Sequence, residues 1–138
     1  MEIVSASATD VKRLFGSAKE TFGEMRGWDD RRVLDVLRRD VVFVARERAQ
    51  PAGHVALHRD AATAAIVIDQ LFVAPTHLRR GVGWRLLGFA EGYAITEGAA
   101  WLRIVVEEGN WGARRFYRRA GFVPVETELF ERVLPRPG

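Results

Sequence analysis

Between an apolar run and a helix-patterned segment the chain reads Arg79-Arg80-Gly81-Val82-Gly83-Trp84. This order of residue types suits an anion. The first turn of a helix leaves backbone N–H groups without partners, at the positive end of the helix dipole. Glycines at 81 and 83 let a pyrophosphate approach the backbone with no Cβ in the way. Arg79 and Arg80 would add charge-assisted contacts. The same residues also suit a tight turn with two solvated arginines. The loop is not a Walker loop, because no G-K-[ST] ends it. Nor is it the dinucleotide fingerprint, since Leu86 stands where G-x-G-x-x-G needs its third glycine.

Other residue types capable of chemistry lie on both sides. Asp69 is the only acid on the apolar run before the loop, and strand alternation puts it on the side of Leu71 and Val73. Glu107 and Glu108 follow the next apolar run. Asn110 stands where it can cap a helix, with Ala113, Phe116, Tyr117 and Ala120 along one face. His54 and His58 share one strand face, with no carboxylate at metal spacing, so they read as surface or core residues. No metal site is expected. Arg114, Arg115, Arg118 and Arg119 cluster on the outer face of their helix. They read as a solvated face, or as contacts for an anionic ligand.

These residues must be positioned by regular elements. EIVS at 2–5 reads as a first strand. Thr9 or Asp10 could cap a helix starting VKRLF. Asp29 or Asp30 could cap a second, RRVLDVLRR, with Val33, Leu34 and Leu37 inward. Strands follow at 41–48, 54–59 and 64–73, with a turn expected at Gln50-Pro51-Ala52-Gly53. A helix is expected from Trp84 to about Glu97, then a strand at 101–106. The helix opened by Asn110 should stop at Gly121-Phe122, and two short strands close the chain. The expected fold is α+β. Its central sheet is mostly antiparallel, with one parallel strand pair across a βαβ crossover and helices on both faces.

Composition bounds the remainder. At 138 residues the chain is expected to be one domain, 1–138. With 48% apolar and 28% charged residues it reads as an ordinary globular chain. The lack of cysteine excludes a disulfide framework and a thiol nucleophile. The start MEIVSASATDVKR has no signal-peptide pattern, and no apolar run is long enough to span a membrane. A cytoplasmic protein is the expectation. The net charge of +3 is carried mostly by arginines interleaved with acids, which argues against a nucleic-acid partner.

Joined to its flanks, the loop acquires a family. Leu71-Phe72-Val73-Ala74-Pro75, then Leu78-Arg79-Arg80-Gly81-Val82-Gly83, then Leu86-Leu87, closely resembles the acetyl-CoA motif of the GNAT superfamily of N-acetyltransferases. Asn110-x-x-Ala113-x-x-Phe116-Tyr117 with Gly121-Phe122 resembles the family's other diagnostic segment. The two lie in the family's order, over roughly residues 68–122. One position departs: the family usually has Gln or Arg three residues before the first glycine, and this chain has Leu78.

The resemblance implies an acetyl-CoA-dependent enzyme. An amine of a small molecule or a protein would attack the thioester directly. In the family the strand before the loop splays from its parallel neighbour, and the pantetheine arm lies along it. That implies cofactor contacts at Leu71, Phe72, Val73, Leu78, Arg79, Arg80, Gly81, Val82, Gly83, Trp84, Asn110, Phe116 and Tyr117. A backbone amide near Val73 would polarise the carbonyl. Tyr117 matches the family tyrosine near the CoA sulfur and is the implied acid, the alternative being a core aromatic. For the base, Asp69, Glu108 or a water chain remain open, and Glu107 reads as a solvated strand-end acid. The glutamate of ribosomal-protein acetyltransferases aligns with Val105, which argues against that subfamily. Residues 23–30, with Trp28, would border the acceptor site. A non-catalytic acyl-CoA sensor and an acetyltransferase toxin acting on charged tRNA are the alternatives. Family habit implies a homodimer.

Overall fold

The computed structural model describes residues 1–7, 9–10, 13 and 30–135. The elements run β1 (Glu2–Ser5), α1 (Asp30–Arg39), β2 (Val41–Glu47), β3 (Gln50–Asp60), β4 (Ala65–Val73), a 3-10 turn (Pro75–His77), α2 (Val82–Thr96), β5 (Trp101–Val105), α3 (Trp111–Arg119), β6 (Val123–Pro124) and β7 (Leu129–Val133). The strands form one seven-stranded, mostly antiparallel sheet in the order β1-β2-β3-β4-β5-β7-β6. Its parallel pair is β4–β5, as the sequence pattern implies. Among the described residues no helix is long and apolar enough to cross a membrane. Met1–Leu57 with Gln70–Ala90 form one compact unit, and His58–Asp69 with Glu91–Gly138 form another.

In the first unit β2 is buried on both faces, which explains its near-continuous apolar run. Val42 and Val44 join Val33, Val36 and Leu37 of α1, with Ala56 and Phe72, in one core cluster. Phe43 points the other way and meets Phe89 of α2 at 4.7 Å between ring centroids. On α1, Val36 takes the inward place expected of Leu34, which is half-buried.

Two local expectations are corrected here. The β2–β3 turn is Arg48-Ala49, both at positive φ (51° and 64°), not Gln50 to Gly53. A two-residue turn with positive φ at both positions matches strand twist, and Glu47↔Gln50 pair directly across it. Pro51 and Gly53 belong to β3 instead. The register shift between Ala45 and Arg46 leaves Ala52 as a bulge, whose carbonyl accepts from the Ala74 amide at 2.8 Å. The first helix start is capped by Ser7, not by Thr9 or Asp10. Ser7 Oγ accepts from the Asp10 amide (3.1 Å), and Asp10 Oδ2 accepts from the Ser7 amide (2.8 Å). The rest of that expected helix, Asp29 and the segment 23–29 with Trp28 lie outside the described residues.

In the second unit the parallel ladder pairs Ala65 to Ile68 with Trp101 to Ile104, and β5 pairs antiparallel with β7. Leu102, Ile104, Ile66, Ile68 and Phe130 are buried. Arg103 and Glu131 are direct cross-strand partners and form an ion pair at 2.9 Å. Helix α3 ends in a Schellman motif. The Phe122 amide donates to the Tyr117 carbonyl (3.0 Å), and Gly121 (φ 92°) takes the left-handed place. Arg132 donates to the Ala120 carbonyl at 2.9 Å, satisfying one of the helix's last acceptors.

Candidate functional site

The glycine loop lies in the first unit. Leu78 is extended (φ −65°, ψ 148°) and 58% exposed, so its side chain grips nothing. Arg79 and Gly81 then take positive φ (62° and 78°), and this pair of left-handed residues turns the chain into α2. The Gly81 carbonyl accepts the first helical bond, from the Arg85 amide at 3.1 Å. Gly81 is therefore the N-cap, and α2 starts at Val82, two residues before the expected Trp84. The amides of Val82, Gly83 and Trp84 occupy the first turn, where no intrahelical acceptor exists. The Val82 side chain is 1% exposed and packs inward, which leaves only its amide for a ligand.

The two loop arginines differ. Arg80 is held by Glu47, with nitrogen–oxygen distances of 3.2 and 3.3 Å, and His77 lies 3.6 Å from the same carboxylate. Slight desolvation would raise the Glu47 pKa, but Arg80 and His77 outweigh it and hold the carboxyl below its ordinary value. Arg80 thus braces the loop against β2 rather than standing free for phosphate, as the sequence pattern had suggested. Arg79 makes no hydrogen bond or ion pair among the described residues.

Along β4 the burial alternates as expected. Asp69, Leu71 and Val73 are half-buried on one side, and Gln70 and Phe72 are buried on the other. Phe72 is a core residue packed with α1, so a cofactor could meet only its backbone. Gly53 lies against this backbone. A Cβ there would stand 2.4 Å from the Phe72 carbonyl oxygen and 3.3 Å from Val73 Cα. Beside Phe72, His54 is fully buried with Nε2 2.8 Å from Gln70 Oε1. Burial lowers its pKa to about 4, against a weaker raising effect from Gln70, so it is a neutral core residue.

The second unit holds the remaining candidates. Asn110 is the N-cap of α3, its Oδ1 accepting from the Ala113 amide at 3.2 Å. Tyr117 is 4% exposed, edge-on to Phe116 (5.1 Å) and to Phe122 (5.4 Å). Burial pushes its phenol pKa well above the ordinary value, and its hydroxyl has no hydrogen-bond partner among the described residues. Arg114 and Arg118 lie over the Phe130 ring at 4.9 and 5.9 Å, so that cluster is only partly a solvated face. Glu108 is exposed, and its amide donates to Glu128. Glu107 is not solvated as expected: its Oε1 is shielded and has no partner.

Asp69 does have a partner that the sequence concealed. His58 Nδ1 lies 2.5 Å from Asp69 Oδ2, with the two side chains 37% and 18% exposed. A carboxylate therefore does stand beside this histidine. The contact joins residues eleven apart across the β3–β4 connection, and no local spacing announces it. The ladder between β4 and β5 is recorded only to Ile68↔Ile104, so Asp69 is the first β4 residue past its end.

The loop amides, the positive-φ glycine and one unpaired arginine fit a pyrophosphate. A free phenol hydroxyl on a buried ring fits proton donation. A family model described as Acetyltransferase (GNAT) family matches residues 10–122. YhfO of Bacillus subtilis strain 168, described as an uncharacterized N-acetyltransferase, is 30% identical over 86 residues, covering 59% of this chain. The match spans 58% of that relative's length. The fold is similar to the PaiA N-acetyltransferase of Thermoplasma acidophilum solved with coenzyme A, with TM-score 0.76, 20% identity and coverage of 96% and 98% of the two chains. It is also similar to a ribosomal-protein-alanine N-acetyltransferase of Brucella melitensis, with TM-score 0.77, 16% identity and coverage of 97% and 100%. With the family model spanning most of its length, the chain belongs to the GNAT family of acetyltransferases.

Proposed function

We propose that this protein transfers the acetyl group of acetyl-CoA to a primary amine of a small molecule or protein, within one domain covering 1–138. The observation that carries the reading is the turn into α2. Gly81 at φ 78° turns the chain so that the amides of Val82 and Gly83 fall in the first turn of α2, where an anion can bind, within the region the family model matches. Coenzyme A bound to a similar fold supports the choice of anion.

Bound acetyl-CoA supplies an activated thioester. The chain's residues do the rest. The loop amides and Arg79 hold the pyrophosphate. The pantetheine arm would lie along the β4 backbone at Leu71 and Val73, which are half-buried on one side of the strand. A backbone amide near Val73 polarises the carbonyl. Asn110 holds the start of α3, and so the helix that carries Tyr117. The Tyr117 hydroxyl gives its proton to the departing thiolate.

The test is turnover. The protein is incubated with acetyl-CoA and a panel of amines, including alkylamines, amino acids, aminoglycosides and lysine peptides, and free thiol is followed with the product mass. Acetylated amine appearing with stoichiometric thiol is the expected result. Tight CoA binding with no turnover on any amine would leave a binding module in place of the enzyme.

A further inference from the structure

An acceptor amine reaches an enzyme mostly as its ammonium form, which cannot attack a carbonyl until one proton is removed. Asp69 lies on the same side of β4 as Leu71 and Val73, where the arm is proposed to run. It is already engaged, with His58 Nδ1 2.5 Å from its Oδ2. The imidazole keeps a second ring nitrogen whose lone pair can accept a proton.

We infer that His58 is the proton acceptor for the incoming amine and that Asp69 is the positioning residue that orients its ring. This rests on the acetyl-transfer reading above. A carboxylate on Nδ1 fixes the tautomer with the proton on that nitrogen, and leaves the Nε2 lone pair as the base. The His58 side chain is 37% exposed, enough for a substrate to reach it, while Asp69, 18% exposed, is more withdrawn. His54, by contrast, is wholly buried and cannot serve.

The proton accounting closes. His58 Nε2 takes one proton from the ammonium and becomes imidazolium, with Asp69 balancing its charge. The amine nitrogen bonds to the acetyl carbon as the carbon–sulfur bond breaks with its electron pair on sulfur. The sulfur takes a proton from Tyr117. The amide nitrogen sheds its second proton as the acetyl group is transferred, and that proton restores the phenol. His58 then releases its own proton to solvent. Glu107, with its shielded and unpartnered Oε1, is the competing base that the test must exclude.

The experiment compares the wild type with His58→Gln, His58→Ala, Asp69→Asn and Glu107→Gln, using an alkylamine that the wild type acetylates. Glutamine keeps a donor for Asp69 but accepts no proton. His58→Gln should lower kcat about 100-fold, with the KM for acetyl-CoA and the calorimetric affinity for CoA within about twofold of wild type. His58→Ala should regain rate when free imidazole is added, a gain within one sample that does not depend on how much of the variant is folded. Asp69→Asn should lose less than His58→Gln, and Glu107→Gln should stay within threefold of wild type. Full activity in His58→Gln, or no imidazole rescue of His58→Ala, overturns the assignment. A kcat collapse in Glu107→Gln alone moves the role to Glu107. A wild type that binds CoA but acetylates no amine overturns the parent reading, and this inference with it.

Discussion

Tyr117 carries two sequence readings, core aromatic and proton donor, and the structure bears out the first. Its ring is core, closed in by Phe116 and Phe122, and its hydroxyl has no hydrogen-bond partner among the described residues. Removing that hydroxyl should therefore separate chemistry from packing. Tyr117→Phe is expected to lower kcat by about 100-fold, while CoA affinity and melting temperature stay near wild type. Unchanged thiol release would reduce Tyr117 to packing. His54 makes a prediction of a different kind. It is neutral in the fold, with a pKa near 4, and takes a proton near 6.5 once unfolded. The unfolded state therefore binds more protons between those values, and stability falls as pH drops below about 6.5, by roughly 3 kcal/mol at pH 4. Denaturant midpoints measured from pH 7 to pH 4.5 should fall, and should fall less in His54→Gln. The cap at Asn110 was legible in advance, because its donor lies three residues on. The His58–Asp69 and Arg80–Glu47 contacts were not, because they form only when strands fold back on one another.

At the scale of elements, the misplaced β2–β3 turn is instructive. Proline and glycine ordinarily mark turns, so Gln50 to Gly53 reads as one. Here Pro51 sits beside a bulge, where its missing N–H is tolerated, and Gly53 is present because the β4 backbone comes too close for a side chain. The actual turn, Arg48-Ala49, has no favoured residue for its positive φ. Gly53→Ala is thus a sharper probe of β4 than any change on β4 itself. The added Cβ would meet the Phe72 carbonyl at 2.4 Å, and the strands must part. The expected loss is about 2 kcal/mol in chemical denaturation. Weaker CoA binding should accompany it, since the displaced backbone at Phe72 and Val73 is where the arm is proposed to lie. The α2 boundary moved for a related reason. Two glycines read as loop, yet only Gly81 has positive φ, and Gly83 belongs to the first helical turn. That shift strengthens the site, because it places the Gly83 amide among those with no helical acceptor.

For the whole molecule, sheet order and the single parallel pair follow from the strand–helix–strand pattern at 64–106, together with the hairpin run before it. The family model covers residues 10–122, so both motifs read from the sequence lie inside the matched region. The acceptor was not legible, since the loop expected to border it carries no motif of its own. The central claim is that the strand, the glycine loop and the start of α2 bind coenzyme A. It is tested most directly by calorimetric titration of the protein with CoA, beside Gly83→Val. A β-branched side chain in the first turn would cover the amides while keeping a φ that any residue can adopt. One CoA per chain, with affinity at least tenfold weaker in Gly83→Val, is the predicted result. No heat of binding in the wild type, or equal affinity in the two proteins, would contradict it.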